Sequence, residues 1–598
     1  MNRKKSKTLS FERSRPDYKF TKKDFIILII ITVLYSAVAL YNLGDMKAPK
    51  TEWDISEGQN IILDFGEVKD IGSVSYFMGE YAYYNMSVTG RNSTSDMWED
   101  YYTGEVDYAF SWDNISVDNS CRYLMITLTS PKAAIYEIAV KDSDGNIITP
   151  INSDAYASLF DEQDLCPERT SYRDSTYFDE IYHARTAYEY IHGLTTYENT
   201  HPPLGKIFIS IGILIFGMNP FGWRIVGTVF GIMMIPAIYT FAKKMFGKTW
   251  LASIICLLFT FDFMHFSQTR IATIDVYVTF FIILMYYFMY RYISMSFYDT
   301  DFKKTLIPLG LCGLSMGLGC ASKWTGCYAG VGLALLFFYH LYKRFREYRY
   351  AKLNPDGTTD GISHKHVIDV FPKYTIKTLL CCILFFIVIP GIIYILSYIP
   401  FVSYYPDKNL LERMFENQID MFNYHSGLKS THAYSSHWYQ WPTMVRPILF
   451  YSGKVSSAIY EGISSFGNPA VWWIGIPAAS IALYRAVAYS DKKAGFLLVG
   501  YAAQFLPWVF VPRYTFIYHY FPSTPFVVLI IGYCMYSFYQ SAKTQSGKKK
   551  VIAGCFVYCA IAIALFVMFY PVISGMPVNK NYVLTCLRWF KSWVLIYC

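Results

Sequence analysis

Asp179 and Glu180 stand side by side in Tyr177-Phe178-Asp179-Glu180-Ile181-Tyr182-His183-Ala184-Arg185, and His201-Pro202-Pro203-Leu204-Gly205-Lys206 follows. Adjacent carboxylates can supply a general base and a second charge that orients it. Consecutive residues point to different faces of a helix. Both can therefore act on one cleft only at a helix start, where the turn is open and the dipole favours anions. Pro202-Pro203 stops any preceding helix and pre-forms the first turn of the next, which puts His201 and Lys206 at a kink. Glu180 and His183, with Asp179 four residues before the same histidine, also have metal-ligand spacing on one helix face. No second cluster of that kind follows and i, i+3 pairs arise by chance, so the expectation is a site with no metal and no other cofactor.

Arg270, Lys323, Arg446 and Arg513 each fall at the end of an apolar span. A phosphate leaving group at a bilayer surface calls for such cations. Snorkelling to the interface is the plain alternative for about half of them. Trp438, Trp441, Trp472 and Trp473 can stack on a sugar or a polyprenyl chain, or simply anchor the chain at the interface. His519 and Tyr520, just before Phe521-Pro522, can hydrogen-bond a phosphate or serve the structure.

The elements that must position these residues are membrane spans. The chain has 598 residues, 53% hydrophobic and only 16% charged, against about 25% charged in a soluble domain. Apolar runs of about 20 residues, the length of a spanning helix, recur near 25–43, 221–242, 249–266, 273–292, 305–321, 325–342, 376–399, 468–489, 494–511, 521–540 and 551–570. The expectation is a mainly α, polytopic membrane protein of about eleven transmembrane helices. The net charge of +8 lies in clusters that flank the spans (Lys4-Lys5, Lys243-Lys244, Lys343 to Arg349, Lys492-Lys493, Lys548 to Lys550). They set topology rather than bind nucleic acid. No small-residue cleavage site follows the first apolar run, so it reads as an uncleaved span. Most cysteines lie inside apolar runs as small hydrophobes, without a disulfide framework.

A cytoplasmic start (1–24) places every basic cluster inside and leaves 151–220, 400–467 and the tail 571–598 outside, between spans two to seven (221–399) and eight to eleven (468–570). An outward site has no direct access to cytosolic nucleotide sugars, so a lipid-linked donor fits. Residues 51–150 read differently, as short strands with the hairpin signal Asp144-Gly145. They suggest an external β-sandwich resembling galactose-binding-like jelly rolls, either a glycan- or acceptor-binding module or a cap on the catalytic loop.

The segments "FDEIYHARTAYEYI", "THPPLGK", "GMNPFGWRIVGTVFG", "TRIATIDVYVTFF", "GLGCASKWTG", "THAYSSHWYQWP", "GNPAVWW" and "PRYTFIYHYFPSTPF" together resemble the protein O-mannosyltransferase family of GT-C membrane enzymes. The resemblance covers nearly the whole chain outside 51–150. It implies Asp179 as the base that deprotonates the acceptor hydroxyl, Glu180 near the acceptor, and Arg224 near the donor or the loop fold. The first-span arginine of eukaryotic members has no counterpart at Val38-Ala39-Leu40-Tyr41, and their MIR domains are missing from 400–467.

The expected activity is inverting transfer of a sugar, mannose by resemblance, from a polyprenyl-phosphate donor to Ser/Thr of secreted proteins at the outer face of the cell membrane. Arg224, Arg270, Lys323, Arg513 and His519 are expected at the donor. His183, His201, Lys206, Trp438 and Trp441 are expected to meet the acceptor or organise the loop. The rivals are a GT-C transferase acting on a lipid or cell-wall glycan, a lipid-linked sugar transporter, and a non-catalytic glycan-binding protein. A transporter would show paired repeats with broken helices, which the sequence lacks.

Overall fold

The computed structural model describes residues 10–55, 60–80, 84–106, 109–129, 133–404, 407–429 and 432–598. Among these, ten helices are long and apolar enough to cross a membrane, or eleven if one bent pair counts as a single span. The first nine helices are α1 (Lys22–Leu40), α2 (Glu180–His192), α3 (Leu204–Phe216), α4 (Pro220–Phe246), α5 (Thr249–Thr260), α6 (Phe263–Thr269), α7 (Asp275–Ile293), α8 (Phe302–Ser322) and α9 (Thr325–Leu353).

Two features depart from the expected spans. The third span is broken, with α5 and α6 meeting at 57°. Asp262 causes the break, because its carboxylate accepts from Met264 N at 3.1 Å, His265 N at 3.3 Å and Asn468 N at 3.0 Å. A side chain that caps a new helix cannot also continue the old one. The second departure is α3, an apolar helix inside the expected external loop. Its 13 residues reach about 20 Å at 1.5 Å per residue, short of the ~30 Å hydrocarbon core. Leu214 and Ile215 are exposed on its surface.

The bundle has two chemically distinct ends. At one, residues 10–24 thread among the basic span ends. Glu12 N donates to Glu347 and Ser14 N to Asp299. Asp17 pairs with Lys244, and the buried Asp24 pairs with Lys243 at 2.9 Å. At the other end, the segments between spans knit together. Asn417 reaches Asn199 O, Ser436 N donates to Thr515 O, and Arg169 pairs with Glu461. A helix at Leu410–Gly427 and a hairpin of Ile448–Lys454 with Ile459–Ser465 give this end an architecture of its own.

The insert is a six-stranded antiparallel sheet. Its strands are β1 (Trp53–Ile55), β2 (Asn60–Met78), β3 (Tyr84–Arg91), β4 (Glu99–Val106), β5 (Ser111–Thr129) and β6 (Ala133–Lys141), in the order β1-β6-β2-β5-β3-β4. The 19-residue strands β2 and β5 pair along their whole length, with register breaks between Asp64 and Lys69 and between Ile71 and Ser73. Such irregularities bend and twist a sheet. Both halves consequently feed one core, Ile61 and Leu63 from one and Val74 and Tyr76 from the other. The expected sandwich is thus one continuous sheet folded onto itself. Its core runs past residue 150 to Leu159 and Phe160. The outer side of the second half, with Phe77, Trp112 and Tyr136, joins the core of the helical body instead.

Candidate active site

The Asp-Glu pair sits at a helix start, as its chemistry requires. Asp179 is the N-cap of α2 and Glu180 its first residue. Phe178 adopts a left-handed φ of 51°, a strained state for a non-glycine residue that a surrounding structure must enforce. Its ring is held by Phe450 at 4.6 Å and Tyr518 at 6.2 Å. The turn sends the two carboxylates in different directions.

Glu180 goes inward. It is fully buried and takes hydrogen bonds from Arg224 Nε at 2.7 Å, Arg224 Nη2 at 2.7 Å, Trp223 Nε1 at 3.3 Å, Ala272 N at 2.9 Å and Tyr177 N at 3.3 Å. Arg224 spends its other donors on Leu43 O, Tyr172 O and Ser175 O. With every N–H engaged, Arg224 has none for a donor phosphate, and Glu180 has no free oxygen for an acceptor or a metal. Of the two expectations for Arg224, the donor and the loop fold, this geometry supports the second, and in place of the expected acceptor contact Glu180 forms a buried pair that ties the 172–180 loop to α4 and the 270–274 turn.

Asp179 goes into a cavity of about 460 Å³, which it lines with His183, Glu198, His201, Asp275, Lys323, Tyr424, His425, Arg513, Tyr518 and His519. Its carboxylate has no hydrogen-bond or ion-pair partner among the described residues. Burial pushes its pKa up to about 7; Lys323 draws it down, and Asp275 and Glu198 add to the rise. Lys323, at the elbow between α8 and α9, is gripped by Asp275 at 2.8 and 2.9 Å. Arg513 lines this cavity and a neighbouring one of about 300 Å³ that shares His201, Lys323, His425 and His519. The half-buried Arg513 guanidinium also lacks any hydrogen-bond or ion-pair partner among the described residues. An unpaired carboxylate and an unpaired guanidinium thus share one cavity, the setting for proton abstraction beside a stabilised anion.

The histidines form a neutral wall. His183 and His201 rings lie 6.3 Å apart, and His201 and His425 5.2 Å apart. Burial holds His183 and His425 down to about 4 and His201 well below its ordinary value. Glu198, 3.9 Å from His183 Nδ1, is pulled to about 2 against the cost of burial, chiefly by Lys206. Lys206 is fully buried on Glu198 and on the carbonyls of Glu198 and His201. It therefore organises the loop.

Other expected contacts do not reach the cavity. Arg270 is buried on the carbonyls of Ala39, Tyr41, Asn42 and Ser574, where it caps the ends of α1 and of the helix Gln545–Ser574. Cations stabilise helix C-termini in this way. Arg446 is exposed and lines neither cavity. Trp441 is fully buried, bonded to Ser436 and parallel to His519 at 6.0 Å, so it supports the cavity wall and stacks on no ligand. Trp438 packs on Phe505, Trp472 is buried against Tyr520, and Trp473 bonds Thr443 O. His519 does line the cavity, with its Nδ1 at 3.0 Å from Phe516 O. The sequence reading passed over Asp275, Glu198 and His425. Asp275 had a signal, as the acidic residue at the start of the fourth span in "TRIATIDVYVTFF".

A helical bundle with a charged cavity at one end, roofed by inter-span loops, is the architecture of a polytopic membrane protein. Residues 168–405 match the family described as dolichyl-phosphate-mannose-protein mannosyltransferase, and 410–593 match the C-terminal four-transmembrane region of protein O-mannosyltransferase. The chain belongs to the protein O-mannosyltransferase family. It is similar to the polyprenol-phosphate-mannose–protein mannosyltransferases of Mycolicibacterium smegmatis (26% identical, over 70% of this chain and 87% of that one) and Corynebacterium glutamicum (26%, over 66% and 81%). The solved S. cerevisiae Pmt1–Pmt2 complex bound to the sugar donor shares the fold, at a TM-score of 0.60 and 14% identity over 70% of this chain and 89% of that one. The β-insert lies outside both matched family regions.

Proposed function

We propose that the chain transfers mannose from a polyprenyl-phosphate carrier to Ser or Thr hydroxyls of exported proteins, at the outer face of the cell membrane. The supporting observation is the cavity that holds both the unpaired Asp179 carboxylate and the unpaired Arg513 guanidinium. The names of the curated relatives supply the donor and the acceptor class. Basic span ends opposite the cavity favour an outward-facing site.

In this reading Asp179 takes the proton of the acceptor hydroxyl as its oxygen attacks C1 from the side opposite the phosphate. The C1–O bond to phosphate breaks, its electron pair leaves with the polyprenyl phosphate, and the configuration at C1 inverts. Arg513 offers a planar pair of N–H donors to the departing phosphate, and Lys323, steadied by Asp275, adds positive charge beside it. No cofactor enters the scheme.

The test is turnover of polyprenyl-phosphate mannose and a Ser/Thr peptide by purified wild type and Asp179→Asn, with and without chelator. General-base help is worth about 10²–10⁴ in rate, so the variant should lose about that much while still binding the lipid donor. The base works ionised. Wild-type kcat/KM should therefore rise as pH increases through about 7, following the raised Asp179 pKa, and the residual rate of the variant should lack that limb. Near-normal turnover in Asp179→Asn removes Asp179 from the mechanism. Chelator-sensitive turnover refutes the metal-free scheme.

A further inference from the structure

Cys320, in the last turn of α8, and Cys327, in the first turn of α9, bracket the elbow that carries Lys323. Their sulfurs lie 3.6 Å apart, and both thiols are free. Both open onto an apolar cleft of about 610 Å³ between α7, α8, α9 and the helix His364–Ile383, lined also by Met316, Phe338, Cys382 and Ile387. Cys327 is exposed there and Cys320 half-buried behind it.

We propose that Cys320 and Cys327 form an oxidation site, converted to a disulfide by a hydroperoxide that enters through this cleft. The Cys327 sulfur is the accessible one. In the first turn of α9 it lies at the positive end of the helix dipole, a setting in which cysteine reacts as the thiolate nucleophile. It attacks the terminal peroxide oxygen and the O–O bond breaks. The alkoxide or hydroxide leaves and takes up the thiol proton, and Cys327 becomes a sulfenic acid. Cys320 then attacks the Cys327 sulfur, expelling hydroxide that leaves as water with the Cys320 proton. Two thiols are oxidised by two electrons, and one peroxide is reduced to an alcohol (or water) plus water.

A disulfide needs its sulfurs about 2.0 Å apart, so bond formation draws the first turn of α9 toward α8. Lys323 lies on the segment being shortened, with its Nζ held on Asp275 and its carbonyl bonded to Gly326 N at 3.0 Å. Oxidation therefore displaces the ammonium from the cavity and weakens donor binding. This second consequence rests on the donor role proposed for Lys323; bond formation does not.

The experiment treats the purified full chain with hydrogen peroxide and, in parallel, cumene hydroperoxide, then blocks remaining thiols and digests with trypsin. Cleavage after Lys323 separates the two cysteines, so the bond appears as two peptides joined and two hydrogens lighter. The proposal expects that species in wild type, reversed by dithiothreitol, and absent from Cys320→Ser and Cys327→Ser. It also expects a several-fold rise in donor KM on oxidation of wild type only. Full alkylation of both thiols after peroxide, or pairing of Cys327 with Cys382, overturns the site. A bond that forms with donor KM unchanged overturns the coupling to Lys323 and leaves the function proposed for Asp179 untouched.

Discussion

At Glu180 the side chain meets donors from Arg224, Trp223, Ala272 and Tyr177, whereas one residue earlier the Asp179 carboxylate meets none among the described residues. Two like groups one peptide apart therefore have opposite roles to play. Removing one partner of a buried ion pair strands the other charge and costs about 3–5 kcal/mol. Glu180→Gln should thus lower the thermal unfolding temperature of the detergent-solubilised protein markedly and lose activity in step with folding. Asp179→Asn, which breaks no bond, should unfold at the wild-type temperature. A Glu180→Gln protein that is stable and folded yet inactive would return Glu180 to contact with the acceptor.

Among the elements, the insert combines two different apolar surfaces. One is closed within the sheet by Ile61, Leu63, Val74, Leu124 and Ile138. The other, with Phe77, Trp112 and Tyr136, is closed only by the helical body, to which Trp112 N is also tied through Ser175 Oγ at 3.1 Å. Expressed alone as residues 51–165, the insert should keep its β-rich circular dichroism but self-associate through that second face. Trp112→Gln should shift it toward monomer in sedimentation. A monomeric wild-type fragment would show that the second face needs no partner. The insert is docked against the loop that carries Asp179, the position a cap would take. The chain between the insert and Asp179 is anchored to it, with Lys141 Nζ on Pro167 O and Thr176 Oγ1 on Ala109 O, both at 2.8 Å.

For the whole molecule, the segregation of charge predicts topology. Segment 10–24 and the basic span ends share one end of the bundle, and the cavity lies at the other. Tyr434, in the segment over the cavity end, bonds Tyr597 next to the C-terminus. A periplasm- or exterior-active reporter fused after Cys598 should be active, and a cytoplasm-active one silent. The reverse result would invert the orientation proposed for the site.

The sequence by itself determined the membrane class, the approximate spans and the helix start at the Asp-Glu pair. These follow from local quantities: apolar run length, basic flanks and proline placement. It also carried the family, through motifs that survive as contiguous strings. Which carboxylate of the pair faces the cavity was not legible. Both lie at one helix start, and only the strained turn at Phe178 and the partners waiting on α4 separate them. Arg224, through the family resemblance, and Arg270 and Arg513, as cations at span ends, carried the same expected place at the donor. The tertiary structure alone showed that backbone carbonyls and Glu180 consume the first two and leave Arg513 without a hydrogen-bond or ion-pair partner among the described residues. Asp275 reaches Lys323 across 48 positions, and His425 reaches Thr200 across 225. Hydrogen-bond satisfaction is a property of such distant partners, so it is decided only when the chain is folded.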